Sequence, residues 1–317
     1  MEPVGGYFEL ELRKGEHYHK DAIRLNTARN CFEYVLRSRQ YTQVYVPYYT
    51  CEVLLEPIKK LGVNYKFYSI NEQFEPISFP SLDADTAFLY TNYYGMKQKC
   101  VERLSEKYGS QLIVDNAQAF YSEPMQRIDT FYSARKFFGV SDGAYLYTGK
   151  RLEQNLYQDV SYKRMSHLLK RIDLGAELGY LDFRNDDDML CNQDIKQMSK
   201  LTDNVLSGID YEAAKRKRRE NYTLLDEFLR ASNQISLELD ERAVPMVYPY
   251  LTDDLSLRRR LIENKVFVAT YWSNVKGWTT EDMLERKLME RLIPIPCDQR
   301  YGEKEMSSIV SLVLGTR

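Results

Sequence analysis

The chain has 317 residues, 44% hydrophobic and 28% charged, a balance that suits a packed globular protein and excludes a disordered one. Lys and Arg number 44 against 46 Asp and Glu, a formal charge of −2, so no nucleic-acid partner held by bulk charge is expected. No run approaches the ~18 apolar residues of a membrane span, and Met1-Glu2-Pro3-Val4-Gly5-Gly6 lacks the basic and apolar segments of a signal peptide, so the reading is a cytoplasmic chain with no membrane partner.

The elements follow in chain order. Ala28 to about Arg39 suits a helix through Phe32, Val35 and Leu36. Val44-Tyr45-Val46-Pro47 predicts a strand ending at a turn, and Glu52–Leu61 a helix stopped by Gly62. Tyr65–Tyr68 alternates as a strand does. Ala87-Phe88-Leu89-Tyr90 is a short buried strand, Val101–Tyr108 a helix ending before Gly109, and Leu112-Ile113-Val114-Asp115 another buried strand. Thr130-Phe131-Tyr132 and Ala144-Tyr145-Leu146-Tyr147 add two more. Strands alternating with helices predict an α/β domain with a mostly parallel sheet. Helical pattern then runs from about Leu152 to Arg230. Val247–Leu251 and Val266–Tyr271 read as strands, Leu255–Asn264 and the stretch from Glu303 as helices. This predicts a large domain over 1–230, including a long connecting helix, and a small α+β C-terminal domain over 231–317.

Cys31, Cys51, Cys100, Cys191 and Cys297 are odd in number and widely spaced, without a CxxC pair. His17, His19 and His167 are the three histidines, and no HExxH occurs, so neither a disulfide framework nor a metal site is expected.

In open α/β sheets ligands sit beyond the carboxyl ends of the strands. Asp115 stands at such an end, in Leu112-Ile113-Val114-Asp115-Asn116-Ala117-Gln118. Alone it reads as a turn or N-cap aspartate. Lys136 lies after the next strand, in Ser133-Ala134-Arg135-Lys136-Phe137-Phe138-Gly139, and alone reads as an exposed loop lysine. Together they are the arrangement that pyridoxal 5′-phosphate requires. The lysine amine forms a Schiff base with the cofactor aldehyde, and the aspartate keeps the pyridine nitrogen protonated so that the ring accepts electrons. Such a lysine is expected to be partly desolvated, with Phe137 and Phe138 as an apolar wall. Phosphate is expected at the helix start in Asn26-Thr27-Ala28-Arg29-Asn30, where free N–H groups and the helix dipole favour an anion. Ser133 can add a hydroxyl. A plain helix cap at Thr27 and a buried turn serine at Ser133 are the alternatives.

The strings from Ile113 to Ala119, from Phe131 to Lys136 and from Asp142 to Tyr145 resemble the DegT/DnrJ/StrS family, sugar aminotransferases of the aspartate-aminotransferase fold. The resemblance extends to Val46–Thr50, Asn92–Gly95, Met198–Leu201, Lys215–Tyr222 and Tyr271-Trp272. It implies the pyridoxal-phosphate-dependent transferase fold type I. Lys136 and Asp115 would be catalytic, with Gln118 against the ring or its 3′-oxygen and Ala28, Arg29 and Ser133 at the phosphate. It also implies a homodimer with shared active sites, and amino transfer from glutamate to a nucleotide-linked keto sugar, as in polysaccharide or deoxyamino-sugar synthesis. The chain departs from the family in Thr27-Ala28-Arg29, where relatives have Gly-Thr or Gly-Arg. It also has Phe131 five residues before the lysine, and Cys51 where a ring-stacking aromatic is common, so that either Tyr49 supplies the ring face instead or that face is left open.

The alternative is a protein of this fold that has lost catalysis and serves in binding or assembly. A sugar dehydratase would carry histidine in place of Lys136. Lys215-Arg216-Lys217-Arg218-Arg219 reads as a solvated helix face, with a diphosphate or dimer contact as the sharper reading. Asp186-Asp187-Asp188 reads as a surface loop, and the helical Arg258-Arg259-Arg260 as a solvated face.

Overall fold

A computed structural model describes residues 4–315, so the first three residues of the segment read for a signal peptide lie outside it. The elements are β1 (Ile23–Leu25), α1 (Ala28–Arg39), β2 (Gln43–Pro47), α2 (Leu55–Lys60), β3 (Asn64–Tyr68), β4 (Thr86–Thr91), α3 (Gln98–Tyr108), β5 (Leu112–Asn116), β6 (Asp129–Ser133) and β7 (Ala144–Tyr147). They continue with α4 (Ser166–Asp173), α5 (Ala176–Asp188), α6 (Lys200–Ser207), α7 (Tyr211–Leu229), β8 (Val247–Leu251), α8 (Leu257–Glu263), α9 (Leu284–Arg291), β9 (Leu292–Pro296) and α10 (Glu303–Leu314).

Seven strands form one sheet in the order β1-β7-β6-β5-β4-β2-β3. The five strands β3, β2, β4, β5 and β6 run parallel, while at one edge β7 is reversed and pairs antiparallel with both β6 and β1. Every residue of β4 and β5 is buried, as strands covered on both faces must be. Alternate side chains serve alternate faces. Val44, Leu89, Ile113 and Phe131 pack under α1 and α2. Phe88, Tyr90, Val114 and Tyr132 face a second core that continues through Tyr222 and Leu225 of α7 to Tyr248, Ile293 and Ile309. β8 and β9 make a separate two-stranded antiparallel sheet.

Several expectations change. The stretch read as helical from Leu152 is irregular until Ser166. There Gln197 N donates to Tyr157 O at 2.9 Å and Asp159 N to Gln197 O at 3.0 Å, pairings that take the backbone groups a helix needs. Val266–Tyr271 forms no strand: β8 pairs with β9 only, and Val266 N instead caps α8 by donating to Leu261 O at 2.8 Å. The acidic run is the last turn of α5, with Asp186 against His167 Nδ1 at 2.6 Å and Asp187 against Arg135 at 2.8 Å. Arg218 is 1% exposed rather than solvated; it donates to Pro245 O and Met246 O and lies 4.5 Å over the Phe137 ring. Arg258 and Arg260 likewise reach backbone carbonyls, at Leu292 and Leu312.

The helical hairpin α4–α5 has an unusual surface. α4 buries no residue, and α5 buries Gly179 and Asp186. The helices cross so closely that a Cβ on Gly179 would meet His167 O at 2.9 Å. Leu169, Ile172, Leu178 and Leu181 all point into water. Among the described residues no helix is long and apolar enough to cross a membrane.

Candidate active site at the strand ends

The carboxyl ends of β4, β5 and β6 and the start of α1 converge on one cleft of about 90 Å³. Thr27, Ala28, Arg29, Cys51, Asp115, Gln118, Ser133 and Lys136 all line it, so the structure brings together every expected site residue except Tyr49. A larger open hollow, about 590 Å³, lies beside β1 near Arg24 and Lys200, away from these strand ends.

Asp115 is 6% exposed. Its Oδ1 accepts from Ala117 N at 2.8 Å, and among the described residues it makes no ion pair. Burial raises its pKa above the ordinary carboxylate value, opposed by the positive charge of Lys136 and the Ala117 N–H. Gln118 Oε1 accepts from Tyr94 N at 2.9 Å, which fixes the amide so that Nε2 is buried without a partner. An orphaned buried donor is costly unless something meets it.

At α1 the Thr27 hydroxyl oxygen accepts from Asn30 N at 3.2 Å. Ala28 and Arg29 are first-turn residues, whose N–H groups have no acceptor within the helix. Arg29 pairs with Glu56 at 2.6 Å. Ser133 ends β6, and Lys136 closes the 3-10 turn Ala134–Lys136. Lys136 is exposed and free of ion pairs among the described residues. The expected apolar wall is absent beside it, because Phe137 and Phe138 turn into the core against Phe120. Burial pushes the Cys51 thiol up, while Lys136 pulls it down. Tyr49 is wholly buried between Tyr93 and Trp272 and does not reach the cleft.

The lysine turn and the α1 start share one support. Gly143 N donates to Asn26 O at 2.6 Å, and Gly143 O accepts from Ala134 N at 3.1 Å. Its φ is +109°, and a Cβ there would lie 2.8 Å from Thr202 Cγ2. Asp142 beside it accepts from Ser199 N at 2.8 Å and from the Ser199 and Thr202 hydroxyls.

Thr91 and Arg135 also line the cleft and are not anticipated from sequence. Thr91 is paired with Asp115 across the parallel β4–β5 ladder, a signal that requires the register. Trp272, one of the residues that carry the resemblance, lines the cleft, with Tyr271 stacked behind it at 5.1 Å.

No family model and no curated protein matches the chain. Solved structures do. DesV from S. venezuelae, in complex with a ketimine intermediate, is 15% identical with a TM-score of 0.65, over 92% of this chain and 83% of that one. A DegT DnrJ EryC1 StrS aminotransferase from Brucella abortus is 14% identical at 0.60, covering 93% and 85%. The putative sugar aminotransferase Spr1654 from Streptococcus pneumoniae, in its PLP-form, is 14% identical at 0.60, covering 92% and 84%. The fold is that of these enzymes, fold type I, as the resemblance implied.

Proposed function

We propose that this protein is a pyridoxal-phosphate-dependent aminotransferase acting on a nucleotide-linked keto sugar, with glutamate as amino donor. One observation carries the reading. A buried carboxylate and a lysine, neither in an ion pair among the described residues, line one cleft together with a glutamine whose amide donor is orphaned and the first-turn residues of α1. The residues fit pyridoxal phosphate part by part. Asp115 would hold the pyridine nitrogen, Lys136 the aldehyde carbon, Gln118 Nε2 a ring oxygen, and Ser133 with the Ala28 and Arg29 N–H groups the phosphate. When bound, the cofactor supplies an electron sink for the carbanion that amino transfer requires.

The chain's own residues do the rest. Asp115 would keep a proton on the ring nitrogen, and its burial would strengthen that charge contact by excluding water. Lys136, held by no ion pair among the described residues, would be free to take a proton from the α-carbon of the amino donor and to deliver one to the keto carbon of the acceptor. A homodimer whose second copy covers the open lysine side would supply the desolvation that the single chain lacks. The likeness in fold to the solved sugar aminotransferases supports the substrate class. Among the described residues, none of the small-domain arginines Arg242, Arg258, Arg259, Arg260, Arg286, Arg291 and Arg300 lines the cleft, so a small keto acid would find no arginine of that domain there.

Borohydride reduction of the cofactor-loaded protein, followed by peptide mapping, should label Lys136; a label on another lysine overturns the assignment. In half-reactions with the aminated enzyme, a nucleotide-linked keto sugar should restore the starting absorbance. If simple keto acids do so efficiently and no sugar nucleotide does, the substrate class is wrong.

A further inference from the structure

Two arginines line the cleft, and they are held differently. Arg29 and Glu56 are 6% and 17% exposed, and the second Glu56 oxygen accepts from Asn192 N at 2.7 Å. Taking the partner from so deep a pair would leave a buried charge uncompensated. Arg135 pairs with Asp187 at 2.8 Å, but Arg135 is 20% and Asp187 46% exposed. An ion pair open to water gains little, so another carboxylate can replace its anion at small cost. Asp187 sits at the end of α5, in the hairpin with almost no buried residue.

Arg135 also stands in the right place. It and Lys136 belong to the same 3-10 turn, and both line the cleft. An amino donor presents its amine and its carboxylate on one carbon, so an anion site beside the lysine meets that carboxylate. A sugar diphosphate lies several bonds from the keto carbon and would have to be met farther out. A guanidinium binds a carboxylate through two parallel N–H bonds, which fixes orientation as well as charge.

We propose that Arg135 binds the α-carboxylate of the amino donor, and that Asp187 occupies this guanidinium until the donor displaces it. The proposal rests on the aminotransferase reading above. The first step of the test separates the two: wild-type protein that takes up no pyridoxal phosphate, or takes it up and ignores glutamate, refutes that reading before any variant is made.

With responsive wild type in hand, Arg135→Gln, Arg135→Lys and Asp187→Asn are compared in the glutamate half-reaction. Glutarate, a dicarboxylate that cannot react, is titrated calorimetrically into the cofactor-loaded proteins. Arg135→Gln should raise both the half-saturating glutamate and the glutarate Kd about 10- to 100-fold, the loss expected for a charge-assisted contact. It should change half-saturation by the nucleotide sugar less than about threefold. Arg135→Lys should fall between, and Asp187→Asn should lower both donor-side constants by removing the competitor. Unchanged glutamate and glutarate values in Arg135→Gln overturn the proposal, as does an effect confined to the sugar nucleotide. Weaker donor binding in Asp187→Asn would show Asp187 to be a brace and overturn the exchange. If Arg135→Gln does not fold, the lysine variant and Asp187→Asn decide the matter.

Discussion

The central strands and the α4–α5 hairpin use apolar residues in opposite ways. In β4 and β5 every side chain is buried, and the chemistry-bearing residues are the polar ones at or just beyond the strand ends. In the hairpin Leu169, Ile172, Leu178 and Leu181 are spread over an uncovered surface, and the backbones touch at Gly179 instead. A strand end can therefore hold Asp115 rigidly, because its position is over-determined by packing on two faces. The hairpin has no such support, and the one cleft contact it sends, Asp187, is an open ion pair.

The largest expected effect lies at the rigid end. Asp115→Ala should lower turnover by about 10²–10³-fold or more, since it removes a buried charge facing a developing one; steady-state kinetics on folded protein would check it, and near-normal turnover would refute the role. Next comes packing. Leu89→Ala should cost about 2–5 kcal/mol in urea unfolding, as a large-to-small change in a closed core does. Leu181→Ala, 73% exposed, should stay within about 0.5 kcal/mol. Equal losses would erase the contrast between the regions.

The sheet region should also carry an acid signature. His19 lies 4.1 Å from the Tyr132 ring, and its Nε2–H donates to Phe120 O at 2.7 Å; burial lowers its pKa from 6.5 to about 4, against the raising effect of that contact. A depressed histidine pKa means that the unfolded chain binds the proton first. Stability is therefore full above the ordinary value and is lost as pH falls towards 4, by about 3 kcal/mol for this group. His19→Gln should flatten that part of the stability–pH curve, and an unchanged slope would show that other groups dominate. The smallest change in fold stability should come from Ile172→Asn with Leu181→Asn. If the second copy that covers the lysine side also covers the hairpin, sedimentation at micromolar concentration should shift from twice the chain mass towards the single mass.

The strand-end residues were legible because parallel strands announce themselves as short apolar runs, and the polar residue that ends each run is then fixed in space. Arg218 was misread, because its run of basic neighbours reads as a solvated face, although the period of the helix carried the signal. The buried positions of α7, Tyr211, Ala214, Arg218, Asn221, Tyr222, Leu225 and Leu229, follow the helical spacing of three or four residues, and Arg218 falls on that stripe. Tyr49 illustrates a different difficulty. It and Cys51 are two residues apart in an irregular turn, where no period says which side chain faces the ligand. β9 was hidden by Pro294 and Pro296, which weaken a strand reading but are tolerated where one edge alone is paired. Arg135 gives no signal of its own, since its ion partner lies in a helix remote in sequence.

The single residue Gly143 has a mechanical consequence. It ties the turn that carries Lys136 to the helix start that would carry phosphate, as one pin joins two levers. The two ends of the site cannot then drift apart by separate small adjustments. A side chain at Gly143, pressed against Thr202, would tilt both together, so reactive amine and anion cradle would fail as a set.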